Sequence, residues 1–371
     1  MKQRQIVVVL AILVGFVSLV RTTPLSAEKR IDQKQYDAMI SSAVEFLRSR
    51  QEPNGAFSSN AGTGVTSLVA TALLKHGRST NEPVIANAIS YVIQHVQEDG
   101  GIYKKESLYR NYETSLAIVC LSTANATGKY DEIIRNADRF IKKIQWDKGE
   151  GIESSDPGFG GAGYGKHKRP DLSNTTFFME ALLASGNSRD SEHMQKALAF
   201  VSRCQNLESE HNTTAFPEKN PDGGFYYTAA AGGSSQAGET PNGGLRSYAS
   251  MTYAGLKSMI YAGVTSDDAR IEAATEWIRK HYDLKSNPGM GQAGLFYYYH
   301  TFAKALDALG EATFVDANGV EHNWRAELAA ELLARQQENG SWINEHDRWL
   351  EGNADLVSGY SLLALYYCRN F

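Results

Sequence analysis

One unit of pattern recurs six times along this chain. A helix-like segment ends in a polar loop carrying glycine and an aromatic or apolar residue, and a second, more apolar helix follows. The loops read RQEPNGAF (residues 50–57), VQEDGGIY (96–103), DPGFGGAGYG (156–165), NPDGGFYY (220–227), GMGQAGLFYYY (289–299) and RQQENGSW (335–342). They lie about 45 to 75 residues apart, with longer insertions in the third to fifth. A repeat of this length predicts stacked helix pairs, each unable to bury its apolar face alone.

The two helices of a unit differ in the sides they bury. In YDEIIRNADRFIKKIQW, residues Ile133, Ile134, Ala137, Phe140, Ile141 and Ile144 follow helical spacing, while Lys and Arg take the other side. That is an outer helix. VTSLVATALL (65–74) and TSLAIVCLSTA (114–124) are apolar or small on most sides, as an inner helix must be. Alternation of the two kinds predicts concentric rings. Six pairs can close on themselves and leave no terminal repeat uncovered. The expected fold class is therefore all-α, an (α/α)6 toroid. In its loops, glycine supplies positive φ for a tight turn, and the aromatic residue fills the gap between neighbouring helices.

The N-terminal stretch MKQRQIVVVLAILVGFVSLVRTTPLSAEKR starts basic, runs apolar from Ile6 to Val20, and reaches Pro24 and the small pair Ser26-Ala27. This order predicts a secretory signal peptide over residues 1–27, cut near Ala27, and an exported protein, periplasmic or extracellular. The apolar run is short against the roughly 20 residues of a spanning helix. An uncleaved anchor is the alternative, and the one route by which a membrane becomes a partner. Residues 28–371 are expected to form one toroid domain. The formal charge of −5 comes without a basic stripe, which argues against nucleic acid as a partner. Three scattered cysteines make no disulfide framework. Cys120 sits in an apolar helical run and reads as a buried thiol. The sequence has no CxxC pair, no HExxH and no glycine-rich loop with a following Lys, so no cofactor is expected.

The segments QEPNGAF, PDGGFYY and QQENGSW resemble the QW-type repeats of squalene–hopene cyclases and the related loops of protein prenyltransferase β subunits. The likeness runs from about residue 36 to the C terminus. It implies an (α/α)6 toroid with a central cavity at the N-terminal ends of the inner helices. The inner helices align on a first-turn hydroxyl: Thr66, Thr114, Thr175, Thr252, Thr301 and Ser358. This alignment puts Val65, Glu113, Asn174, Met251, His300 and Val357 at the cavity mouth, with Tyr112, Ser173, Ala249 and Tyr299 close by.

The cyclases carry an Asp-x-Asp-Asp-Thr motif whose middle Asp protonates an olefin or epoxide. Here the frame reads Asp171-Leu172-Ser173-Asn174-Thr175, with both later acids replaced. Asp171 is thus the candidate catalytic residue. Olefin protonation needs an acid kept protonated. A helix N-terminus favours the carboxylate, so Asp171 is expected to be ionised at neutral pH and cyclisation by the family mechanism is not expected. Asp171 or Ser173 reads equally as a cap on a helix that begins at a cavity. Asp171, Asn174 and Thr175 share one helix face, suited to a hydroxylated ligand.

The prenyltransferase zinc takes Asp, Cys and His. His300 aligns with that His, but Ala249 and Met251 stand at the other two positions, so no metal is expected. The remaining ligand-binding candidates are Arg110, Tyr112 and Glu113 from LYRNYETS, Arg246 and Tyr248 from GGLRSYAS, and Tyr299 beside His300. Arg110 and Glu113 read alternatively as an ion pair. The expected function is binding of a small-molecule ligand, of isoprenoid class, in the central cavity, with catalysis left open. Polysaccharide processing outside the cytoplasm, with a glycan as ligand, and a non-catalytic scaffold are the alternatives. The oligomeric state is left open too.

Overall fold

The computed structural model describes residues 31–165 and 169–371, and the expected signal segment lies outside the described residues. Six outer helices are α1 (Gln33–Arg50), α3 (Pro83–Ile93), α5 (Asp131–Lys143), α7 (Glu192–Arg203), α10 (Ala269–Lys280) and α12 (Trp324–Arg335). They alternate with six inner helices: α2 (Gly64–Lys75), α4 (Arg110–Thr123), α6 (Leu172–Ala184), α9 (Ala249–Tyr261), α11 (Leu295–Leu309) and α13 (Ala354–Cys368). A one-turn helix, α8 (Phe216–Lys219), occupies the insertion before α9. Between α11 and α12 the chain forms a two-stranded antiparallel ribbon, β1 (Phe314–Val315) and β2 (Glu321–His322), a small departure from an all-α chain.

Burial separates the two rings as the periodicity requires. Helix α5 buries one stripe, Ile134, Ala137, Phe140 and Ile141, and turns Lys and Arg outward. Helix α2 buries every residue from Gly64 to Leu73. Each inner helix packs against the next, and α13 returns to α2. The outer layer also closes, because α1 packs on α12 and α13. The fold is the (α/α)6 toroid.

Three small devices repeat around the ring and explain the loop signature. The first is the anchor hydroxyl. The loop N–H of Phe57, Ile102, Ala162, Phe225 and Trp342 donates to the hydroxyl of Thr66, Thr114, Thr175, Thr252 and Ser358, at 2.9–3.1 Å. Each bond buries a loop residue against its own inner helix and satisfies a donor that would otherwise be orphaned. The fifth unit departs from the pattern: Thr301 donates to Tyr297 and Tyr298 carbonyls within its own helix.

The second device is the loop glutamine. The side-chain amides of Gln51, Gln145, Gln205 and Gln336 each donate twice, to a glycine carbonyl of their own loop and to a carbonyl in an adjacent outer helix: Val84, His193, Arg270 and Met39. The third is the glycine itself. Gly160 has φ +87°, and a Cβ there would sit 1.9 Å from the Lys196 carbonyl oxygen; Gly340 has φ +86° and would meet Ser42 O at 2.4 Å. Positive φ and backbone contact both demand glycine. Gln336 and Gly340 contact α1, so the same device that joins neighbouring units also joins the last unit to the first.

The inner helices are stapled at their starts. The first N–H groups of α4, α6 and α9 donate to carbonyls of the following loop: Asn111 to Tyr164, Leu172 to Tyr227, and Ala249 to Pro288. These donors have no intrahelical partner. Among the described residues, no helix is long and apolar enough to cross a membrane.

Candidate functional site

The N-terminal ends of the inner helices form the mouth of the ring. Four of them carry a buried carboxylate in or next to the first turn: Glu113 on α4, Asp171 at α6, Glu351 at α11 and Asp355 on α13. Helix dipoles favour anions there, and each carboxylate is engaged by the loops. Glu113 accepts from Thr63 N and Oγ1, Lys104 N and Ser107 Oγ. Glu351 accepts from Phe296 N, Tyr297 N and Asn344 Nδ2. Asp355 takes Ser58 Oγ at 2.6 Å and Arg50 Nε at 3.1 Å. Glu113 thus acts as a loop clasp. Its expected ion pair with Arg110 is replaced: Arg110 is exposed, donates to the Ser107 carbonyl and lies over the Tyr103 ring.

Asp171 caps α6. Its Oδ1 accepts from Asn174 N at 2.9 Å and its Oδ2 from Asn174 Nδ2 at 2.8 Å. The capping reading therefore describes its bonds. The carboxyl is nevertheless a weaker acid than an ordinary Asp, while still ionised at pH 7. Burial raises the carboxyl to about 6, against the lowering effect of the Asn174 donors, the Tyr227 hydroxyl and Arg169. Desolvation outweighs the helix dipole because the group is 2% exposed. Tyr164, Tyr227 and Tyr248 surround it, and its charge helps push their phenols up, after burial.

Below the mouth, four rings meet across the axis. Tyr112 on α4 packs edge-on against Phe177 on α6 at 5.2 Å, Phe177 meets Tyr297 on α11 at 6.2 Å, and Tyr297 meets Tyr360 on α13 at 5.8 Å. The Tyr360 hydroxyl returns to Tyr112 at 3.5 Å. Two of these contacts join helices that are not neighbours in the ring, so the quartet spans the lumen. Tyr112 and Tyr297 keep part of their surface accessible, as do Ser173, Tyr164 and Tyr227 on the mouth side. Ser173 and Tyr297 share a hydroxyl contact of 3.0 Å. His300 lies one turn below Tyr297 and tilts against Tyr360 at 5.3 Å. It is buried, its Nδ1 has no partner among the described residues, and burial followed by the nearby Lys304 keeps it neutral.

Deeper still, Glu180 on α6 bridges Lys257 on α9 and Lys304 on α11. These three, with Phe177, Tyr360, Tyr164 and Tyr227, are not among the residues that sequence reasoning picks out. A detectable signal exists for the ions: each is a lone charge in a mostly apolar stretch of an inner helix, FFMEALL, AGLKSMI and TFAKAL.

The remaining candidates fall into two groups. Tyr112, Asn174, Tyr248 and His300 gather at the mouth or lumen with Asp171. Thr175 and Tyr299 do not: the Thr175 hydroxyl is engaged by Ala162 N and the Asp171 carbonyl, and the Tyr299 hydroxyl donates to the Leu284 carbonyl between helices. Tyr297, two residues earlier, takes the lumen position. Arg246 is exposed, donates to the Glu239 carbonyl and lines a surface cleft of about 410 Å³ with Asp222, Trp277 and His281, away from the lumen. Among the described residues, no group of three or more His, Cys, Asp or Glu is arranged to hold a metal ion. Cys120, Cys204 and Cys368 are free and buried, and burial pushes the Cys120 thiol up to about 12.

A closed double ring of helices is a fold with several solved members. The type II terpene cyclase MstE from Scytonema shares 15% identity at a TM-score of 0.54, covering 91% of this chain and 99% of that one. A "possible member of GH105 family" from Salmonella enterica shares 11% at 0.55, covering 94% and 99%. A glycosyl hydrolase family 88 protein from Bacteroides vulgatus shares 10% at 0.51, covering 90% and 98%. At such identities these likenesses speak for the fold. No curated protein matches the chain. The family itself comes from sequence: the squalene-hopene cyclase C-terminal domain matches residues 20–128 and 59–228, together more than half of the chain, which belongs to that family.

Proposed function

We propose that this protein binds an apolar, isoprenoid-class ligand at the mouth of the toroid, against the aromatic quartet. The observation that carries the reading is the quartet itself. Four rings from four inner helices form an apolar floor across the lumen, and Tyr112 and Tyr297 are only half-buried in it. Pockets lined by aromatic rings with few convergent polar groups suit ligands of this kind. Asp171, Ser173 and Tyr297 supply the polar contacts.

The reading is one of binding rather than olefin protonation. Although burial raises the Asp171 carboxyl to about 6, it still gives up its proton at pH 7, and its two oxygens are bonded to Asn174 rather than to a second carboxylate that could share a proton. A glycan-cleaving reading has less support. Glycoside hydrolysis uses two carboxyl groups facing one bond across roughly 5–9.5 Å, whereas Glu113, Glu351 and Asp355 are each engaged in holding loops. The basic, apolar and small-residue order of residues 1–27 supports export of the protein.

The test is a titration of intrinsic fluorescence with geranylgeraniol and with squalene, alongside an oligosaccharide control. Saturable binding of a prenyl chain is expected, weakened about tenfold in Phe177→Ala, which removes the ring at the centre of the floor. Binding of the oligosaccharide with no response to either prenyl compound would sink the proposal.

A further inference from the structure

On the far side of the aromatic quartet the lumen holds an excess of buried positive charge. The Lys257 ammonium donates to Glu180 Oε1 and the Lys304 ammonium to Glu180 Oε2. Their side chains are 2% and 9% exposed. Two cations and one carboxylate leave a net charge of +1 in the interior. An ammonium carries three donors, so the pair has six N–H groups. Two reach Glu180, and among the described residues no other protein acceptor takes a bond from either amine. Lys75, at the end of α2, adds a third cation nearby, resting over the Tyr366 ring at 4.6 Å. One turn above Lys304 on the same helix stands His300, buried, with its Nδ1 unpartnered.

A buried uncompensated charge is expensive, and a charged cluster with unfilled donors more so. Helix dipoles offset part of this, because the C-terminal ends of the inner helices lie on this side. That effect fades beyond the last turn, and both lysines stand about a turn or more before their helix ends. Loss of a proton is a weaker remedy. Burial lowers Lys257 to about 8, Glu180 holding it up against that, so the ammonium still prevails at pH 7.

We infer that the deep end of the lumen is a binding site for a phosphoryl oxyanion, held by Lys257 and Lys304 with Lys75 and His300 beside it. A tetrahedral oxyanion accepts several charge-assisted N–H bonds at once and carries the charge that the cluster lacks. A monoanionic carboxylate would leave the field of Lys75 uncompensated. The site lies across the quartet from the mouth, so it stands whether or not the prenyl-chain reading holds.

The experiment is calorimetric titration of the full chain with inorganic pyrophosphate at pH 7. Saturable binding is expected, weakened about tenfold in Lys304→Met. That variant leaves one ammonium per carboxylate. Lys304→Arg retains the charge and should retain binding. Lys75→Ala, at a partly exposed position outside the bridged pair, should weaken binding by about two- to fivefold; it keeps the idea testable if the Met variant fails to fold. No saturable binding by the wild-type chain, or binding unaltered in both Lys304→Met and Lys75→Ala, overturns the inference. A second arm uses geranylgeranyl diphosphate. Binding tighter than that of pyrophosphate and weakened about tenfold by Lys304→Met assigns the site to a lipid head group; tighter binding that Lys304→Met leaves unchanged belongs to the mouth and assigns the deep site to a free anion.

Discussion

Replacing Asp171 with Asn should stabilise this protein at neutral pH, although it removes the carboxylate of a helix cap. The reason is the environment of the group. Its carboxyl moves from an ordinary 3.8 to about 6, with burial as the dominant cause. Below about pH 4 both folded and unfolded chains hold the proton, and no penalty exists. As pH rises from there, the unfolded chain ionises first, and the folded state loses stability by roughly 1.4 kcal/mol per pH unit until about pH 6. Above that the penalty is constant, at most about 3 kcal/mol. Asn carries no charge and still caps, at a loss of about 0.5–1 kcal/mol relative to a charged acceptor. Its amide can be accommodated, because Asn174 Oδ1 lacks a well-aligned donor and can accept it after a flip of the Asn174 amide. The expected net gain at pH 7 is about 1–2 kcal/mol, fading to zero or reversing at pH 4. Asp171→Ala leaves Asn174 N and Nδ2 without acceptors and should lie about 2 kcal/mol below the Asn variant at either pH. Urea melts of the three proteins at pH 4 and pH 7 measure all of this. An Asn variant less stable than wild type at pH 7, or a gap that does not move with pH, would refute the reasoning.

Glu180→Gln strands two buried ammonium groups and should destabilise by about 3–5 kcal/mol in urea melts; a loss under about 1 kcal/mol would mean the lysines are solvated. Gly340→Ala forces a Cβ at positive φ to within 2.4 Å of the Ser42 carbonyl oxygen, so the junction between α1 and the last loop should loosen, seen as faster amide exchange at both ends of the chain and a stability loss above about 1 kcal/mol. In the ribbon, His322 is lowered by burial but raised further by Glu327 and Asp316, ending above 6.5; its contribution is therefore complete below pH 6.5 and lost as pH rises through the folded value, so His322→Gln should flatten the stability profile on that alkaline side.

The ring was legible because its causes are local. A glycine at positive φ, a glutamine that bridges two carbonyls, and a hydroxyl that receives a loop N–H each sit at a nearly constant offset within the unit. Repetition made them visible without knowing what they touch. The pattern fails where the offset slips: Thr301 aligns with the other hydroxyls in sequence, but its helix begins earlier, at Leu295, and Glu351 from the next loop reaches the N–H groups of its first turn. The same shift moved the lumen position from Tyr299 to Tyr297.

The site was less legible because it is made by helices far apart in sequence. Nothing local ties Tyr112 to Tyr360, or Glu180 to Lys257 and Lys304; the ring brings them together. Polar residues in inner helices nevertheless fall into two kinds that can be told apart. Those in the first turn, such as Asp171, Asn174 and Thr175, complete bonds that every helix start must complete, so their presence follows from the fold and says little of function. Glu180, Lys257 and Lys304 lie past that turn, where the backbone is already satisfied and nothing in the helix calls for a charge. A charge there must be explained by another helix or by a ligand. One carboxylate explains two ammonium groups in position but not in number, and the surplus is what points beyond the chain.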